Sequence, residues 1–185
     1  MSAVSSEYPS WSYYPRNERP PQWAVDLSSA VRAAEHLVDT RPLPLEEAER
    51  LTSDRVLGLL RPSLEALGYI VESGKKADQK IRRPVLFGEN GRPALNYEID
   101  AFHDDLGIAM EIEAGRGAFG NADYRDIVRL SLLLDARFMV LMQPLRYRTG
   151  STVKSAYESS RDVFDAIYAS QRLQLPFDGV LLLGY

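Results

Sequence analysis

Tyr97-Glu98-Ile99-Asp100 and Met110-Glu111-Ile112-Glu113, joined through His103-Asp104-Asp105-Leu106-Gly107, decide how this chain is read. Residues 95 to 103 and 107 to 113 are rich in strand formers, and the polar stretch between them has the composition of a turn. A turn of even length centred between Asp105 and Leu106 pairs His103 with Ile108, Asp100 with Glu111 and Glu98 with Glu113. All four acids then share one face of a β-hairpin, because side chains alternate along a strand. Ile108, Met110 and Ile112 form the opposite face, the one expected against a core. A turn of odd length would instead move Glu111 and Glu113 off the face of Asp100.

Directly opposed strand residues hold their Cβ atoms roughly 4.5–5.5 Å apart, and like charges so placed are destabilising. Two carboxylates about 5 Å apart repel by about 0.8 kcal/mol in water and about 3 kcal/mol at an effective dielectric near 20. A solvated edge usually mixes Lys or Arg into such positions, and none is interleaved here. The cluster therefore calls for a cation, and all-oxygen ligands suit Mg²⁺ or Mn²⁺. The plainer reading of the same residues is an exposed acidic hairpin that binds nothing.

Composition narrows the classes. The chain has 185 residues, 45% of them hydrophobic, which suits one domain with a proper core. Residues 1–22 hold Tyr8-Pro9-Ser10-Trp11-Ser12-Tyr13-Tyr14-Pro15 and Arg19-Pro20-Pro21, and read as a flexible N-terminal extension ahead of a single α/β domain over 23–185. Docking of those aromatics on the domain or on a partner subunit is the alternative. With no cysteine, disulfides and thiolate metal sites are excluded. His36 and His103 are the only histidines and are read as structural. No apolar run approaches the roughly 20 residues that span a bilayer, and the N-terminus lacks the order of a signal peptide, so a cytoplasmic protein without membrane contact is expected. A net charge of −4 argues against indiscriminate adhesion to nucleic acid but allows local basic patches.

Apolar periodicity predicts helices over about 25–38, from Leu45, and from Ser53-Asp54 through Leu57, Leu60, Leu64 and Leu67, the last kinked or broken at Pro62. Gly68 ends that helix and Tyr69-Ile70-Val71-Glu72 reads as a strand. Beyond the acidic hairpin, a helix through Ile127, Leu130 and Leu134 is followed by a buried strand over 138–142. A helix through Val153, Tyr157, Phe164 and Ile167 then leads to a last strand over 180–183. The order α-β-β-β-α-β-α-β implies a mixed central β-sheet flanked by helices.

That order, with Asp100 ending one strand and Glu111-Ile112-Glu113 on the next, resembles the PD-(D/E)XK restriction-endonuclease-like superfamily over roughly residues 54–143. Asp100 matches the family's first acid, and Glu111 and Glu113 match its acid-x-Lys pair with Glu in place of Lys, a form familiar from some type II restriction enzymes. The resemblance implies a Mg²⁺-dependent endonuclease acting on nucleic acid, with DNA expected. It also implies that Asp100, Glu111 and the carbonyl of Ile112 hold the ion, which would neutralise the scissile phosphate and acidify a bound water. Glu113 would orient or deprotonate that water or help hold a second ion, and Arg116 would replace the missing lysine charge. Glu98 would be an outer acid, and Glu65 and Glu72 are within possible reach. Double-strand cleavage needs two sites, which makes a homodimer compatible with this reading.

Lys75, Lys76, Lys80, Arg82 and Arg83 put five positive charges just before the motif strands, in a stretch read as a loop and suited to a phosphate backbone. Arg125 with Arg129, and Arg146 with Arg148, are further candidates. A non-catalytic nucleic-acid-binding or assembly subunit of the same fold would use the same basic segment. Gly115-Arg116-Gly117-Ala118-Phe119-Gly120 spells the dinucleotide-binding pattern, but the glutamates before it would repel a pyrophosphate, and Gln143-Pro144 stands where an acid should end the next strand. The glycines are read instead as a loop that lets substrate approach the ion.

Overall fold

A computed structural model describes residues 7–114, 122–149, 151–170 and 172–185. Ten strands and six helices follow the order β1 (Ser10–Tyr14), α1 (Gln22–Ala33), α2 (Glu35–Val38), α3 (Leu45–Ala48), α4 (Ser53–Ala66), β2 (Ile70–Val71), β3 (Ile81–Phe87), β4 (Pro93–Ile99), β5 (Ala101–His103), β6 (Ile108–Ile112), α5 (Ala122–Ser131), β7 (Phe138–Gln143), β8 (Tyr147–Thr149), β9 (Thr152–Lys154), α6 (Ala156–Ser170) and β10 (Gly179–Gly184) among the described residues. Six strands form one mixed sheet in the order β1-β10-β7-β6-β5-β2. The three central strands β10, β7 and β6 run parallel, while β1, β5 and β2 add antiparallel. The parallel strands read as near-continuous apolar runs because helices cover both of their faces. The chain is thus α/β, as its pattern predicts.

Side-chain parity shows which helices lie on which face. Trp23 of α1 packs on Phe138 of β7 at 5.2 Å between ring centroids, whereas Asp123 of α5 bonds Gln143, five residues along the same strand. Phe138 and Gln143 differ in parity, so α1 and α5 cover opposite faces. Ser160 of α6 bonds Asp123 and joins the α5 face. On the α1 face, α4 starts at Thr52, whose hydroxyl accepts from the Arg55 N–H at 3.3 Å. It buries Val56, Leu57, Leu60 and Leu64, each worth about 1.5–3 kcal/mol when fully removed from water. Gly68 ends the helix at φ +92°, a conformation that favours glycine, and its missing side chain leaves room for the His103 ring.

Several expectations need correction. Residues 10–14 of the supposed flexible extension form β1, paired with β10 from Ser10↔Gly184 to Tyr14↔Val180, with Tyr13 and Tyr14 buried. The docked alternative holds, because these aromatics pack into the core. Helix α4 runs unbroken through Pro62, since the carbonyl four residues back belongs to Gly58, which is exposed. Leu134 lies beyond α5 and is exposed, its place in the core taken by Leu133, and Val153 lies in β9 ahead of α6. The predicted strand over 95–103 is two strands interrupted at Asp100. Its first half pairs with β3, so Arg82 and Arg83 lie in a strand and not in the expected loop. No helix among the described residues is long and apolar enough to cross a membrane.

Candidate active site

The β5–β6 turn has the predicted length. His103 pairs with Ile108 and Ala101 with Met110, and the Gly107 N–H closes the turn on the His103 carbonyl at 2.8 Å. Asp100 therefore stands beside Glu111, at the point where the chain leaves the β3–β4 ladder and enters the main sheet. Glu98 does not stand beside Glu113. It pairs across the other ladder with Arg82, their side chains 3.1 Å apart, because β4 takes β3 as its partner. Three of the four hairpin acids share the site and the fourth is turned away.

Leaving the ladder at Asp100 frees the edge of β6. The Ile112 N–H, which would otherwise bond main chain on the neighbouring strand, donates to Asp100 Oδ2 at 2.8 Å. The N–H and C=O of one strand residue point to the same side, so the Ile112 carbonyl is directed toward Asp100 as well. Glu113 faces the other way with its main chain. Its N–H donates to the Met142 carbonyl at 2.9 Å, and its own carbonyl accepts from the Tyr185 hydroxyl at 2.6 Å. Pro144 has no N–H to continue the ladder there, and the tyrosine supplies the donor instead.

Register sets Glu111 opposite Leu141, on the face covered by α5. That helix contributes an acid the sequence reading missed. Asp126 is 1% exposed and contacts Glu113, and Arg125 Nε donates to its Oδ1 at 3.1 Å. Arg125 Nη2 donates to Glu113 Oε1, also at 3.1 Å. Arg129 lies 3.9 Å from Asp126 Oδ1 and donates to the Glu98 carbonyl at 2.6 Å. The overlooked signal is an acid inside an apolar stripe, since Asp123 and Asp126 share the helical face of Ile127 and Leu130. Glu72, within possible reach in the sequence, is buried, and its N–H donates to the Asp100 carbonyl at 2.8 Å while its carboxylate accepts from Lys80 Nζ at 2.6 Å. Glu65 is exposed on α4.

Burial raises the proton affinity of the acids, and their neighbours raise it further. Asp100 is pushed up to about 6, first by burial and then by the charge of Glu72, against the opposing Ile112 hydrogen bond. Glu113 is pushed up to about 8 by burial and by the Asp126 carboxylate. Glu111 is raised well above the usual carboxylate range by burial, then by Asp100 and Asp126. Two oxygens in this cluster, Glu111 Oε1 and Asp126 Oδ2, are buried with no hydrogen-bond partner outside the acids themselves, Glu111 sharing a hydrogen bond with Asp100 and Glu113 with Asp126. A buried carboxylate oxygen without such an outside partner bears a desolvation cost, which an ion would offset. The donor set is all hard oxygen and fits Mg²⁺ or Mn²⁺. Among the described residues no group of three or more acids or histidines is placed so that it could hold a metal ion. The acids meet in pairs, Asp100 with Glu111 and Glu113 with Asp126.

The basic segment is largely neutralised within the chain. Lys75 pairs with Asp54 at 2.9 Å, Lys80 with Glu72, Arg82 with Glu98, and Arg83 with Asp104 while stacking 4.0 Å above the Phe102 ring. Lys76 is exposed. Arg146 caps main-chain carbonyls of Arg41 and Leu43, and Arg148 binds Glu49 through two nitrogens, so both have structural partners. Arg116 and the glycines at 115, 117 and 120 lie outside the described residues. The chain matches no known family model and no curated protein.

Proposed function

We propose that this chain is a Mg²⁺- or Mn²⁺-dependent nuclease of restriction-endonuclease-like fold that hydrolyses phosphodiester bonds, with DNA as the expected substrate and the cytoplasm as its place of action. The observation that carries the reading is the buried Glu111 beside Asp100 at the split between two ladders, one Glu111 oxygen lacking any donor outside the acids themselves. Asp100, Glu111 and the Ile112 carbonyl are the residues that would hold the ion. Bound there, the ion would neutralise the scissile phosphate and acidify a water for in-line attack.

The protein's own residues supply the rest. Ile112 fixes the Asp100 carboxylate through its N–H, and Tyr185 and Met142 hold the main chain of Glu113. Arg125 and Arg129 bring positive charge next to the acids, where it can stabilise charge developing on phosphate oxygens. This is the role the sequence gives to Arg116 and the family gives to lysine. A homodimer would place two such sites on opposite strands.

Cleavage of double-stranded DNA, single-stranded DNA and RNA with Mn²⁺ or Mg²⁺, beside EDTA controls, tests the proposal. Metal-dependent cleavage should be lost in Glu111→Ala while its circular dichroism stays that of wild type. Cleavage retained by a folded Glu111→Ala protein would remove the assignment. The alternative, a non-catalytic binding or assembly subunit, is favoured by Glu113 standing where a catalytic cation is expected. It predicts nucleic-acid binding unaffected by EDTA and no turnover.

A further inference from the structure

We infer that the cavity between the start of α1, the end of α4 and the β5–β6 turn is a binding site for a methylated ammonium group. It lies at the turn end of the acid hairpin, beside His103, and on the α1 face of the sheet, whereas Glu111 faces α5. The inference is therefore independent of the metal-dependent reading.

The cavity measures about 360 Å³, within the range of small-molecule sites. Trp23, Tyr69 and His103 line it, with Leu67 and Leu106 adding aliphatic wall. Tyr69 and His103 meet at 80° with ring centroids 5.2 Å apart, so the two rings make a corner and not a stack. Trp23 is braced by Phe138 at 5.2 Å and by Tyr13 at 6.1 Å, which fixes the third wall. The Leu106 N–H donates to His103 Nδ1 at 3.4 Å, so the imidazole making this bond is neutral and no rival cation. Asp26 brings a full negative charge to the lining, and its hydrogen bond comes from the neutral Gln22 amide at 2.8 Å.

Elsewhere in the chain the same pairing of ring and aspartate is completed by an arginine. Arg16 lies over Tyr14 and pairs with Asp165, Arg41 over Tyr8 with Asp39, and Arg83 over Phe102 with Asp104. Arg129 lies over Tyr97 and pairs with Asp126, and Arg137 over Phe138 with Asp178. Among the described residues no lysine or arginine lies over Trp23 or Tyr69, and none pairs with Asp26. Aromatic faces attract cations, Trp most strongly, and the carboxylate adds to that attraction. The cation at this cavity is left to a ligand. A primary ammonium would bring three N–H donors against walls that are mostly ring and aliphatic carbon, and would leave donors unpaired. A quaternary ammonium has no donor to satisfy, and its methyl groups carry the charge onto apolar walls.

Isothermal titration of the intact chain with choline, tetramethylammonium and 3,3-dimethylbutan-1-ol, the uncharged isostere of choline, tests the site. Both cations should bind, and the alcohol should bind at least about tenfold more weakly. Asp26 is exposed, so Asp26→Asn should keep the fold, weaken choline several-fold and leave the alcohol unchanged. Trp23→Phe keeps a ring against Phe138 and should weaken choline more than the alcohol. No choline binding at millimolar concentration, equal affinity for choline and the alcohol, or unchanged choline affinity in both variants overturns the inference. A peptide carrying trimethyl-lysine separates the two sources of the group. Tighter binding of the peptide than of choline makes the ligand a modified protein, and the reverse makes it a free small molecule. None of these readouts involves cleavage, so the site stands or falls apart from the nuclease reading.

Discussion

Replacing Asp100 by Asn should stabilise the metal-free protein at alkaline pH. The carboxyl stands at about 6 in the folded chain against an ordinary 3.8, and a displacement of that size corresponds to about 3 kcal/mol between the two protonation states. Because folding raises this value, the native state binds more protons than the unfolded chain, and stability falls as pH rises. The favourable contribution is complete below pH about 4 and is lost as pH climbs through about 6 for Asp100 and about 8 for Glu113. Asn at position 100 carries no charge and keeps an acceptor for the Ile112 N–H. At pH 8 in EDTA the Asp100→Asn protein should therefore melt roughly 6–12 °C above wild type, from about 3 kcal/mol in a chain of this length. At pH 4 the two should melt together. Adding Mg²⁺ at pH 8 should raise the wild-type melting temperature and leave the variant unmoved. Differential scanning calorimetry across pH 4–9 makes the comparison. An Asp100→Asn protein no more stable than wild type at pH 8 in EDTA would refute the claim that a buried, uncompensated charge sits there.

Other changes test how the site is held. Tyr185→Phe removes the donor to the Glu113 carbonyl, which Pro144 cannot replace, and should cost about 1–3 kcal/mol in chemical denaturation. An unchanged denaturation midpoint would mean that water takes over that carbonyl. Gly68→Ala forces a side chain into a φ of +92° with its Cβ 2.9 Å from His103 Nε2, and should destabilise by more than about 1 kcal/mol. A neutral result there would mean that the end of α4 rearranges freely.

Much of the motif is legible in the sequence alone. Alternation along a strand is a local property, and so is turn length. His103 against Ile108 and Asp100 beside Glu111 followed from counting residues across one turn, and the structure has both. The apolar runs at 138–143 and 179–184 and the leucines of α4 were equally plain, because a buried face leaves a periodic record in the chain.

Choices among partners distant in sequence could not be read that way. Tyr97-Glu98-Ile99 has the same composition whether it pairs with β6 or with β3, and competition between two ladders moved Glu98 out of the site. Arg82 and Arg83 read as a phosphate-binding loop because nothing local shows that Glu98 and Asp104 will neutralise them. β1 depends on an edge offered by β10, about 170 residues later in the chain. Asp126 looked like an ordinary helical acid, since only the docking of α5 across β6 and β7 removes it from water beside Glu113. The sequence by itself determined the local geometry of the acid hairpin and the alternation of strands with helices. Tertiary structure alone decided which acids meet and which cations are already taken, because strand pairing and helix docking join residues whose separation along the chain carries no periodic signal.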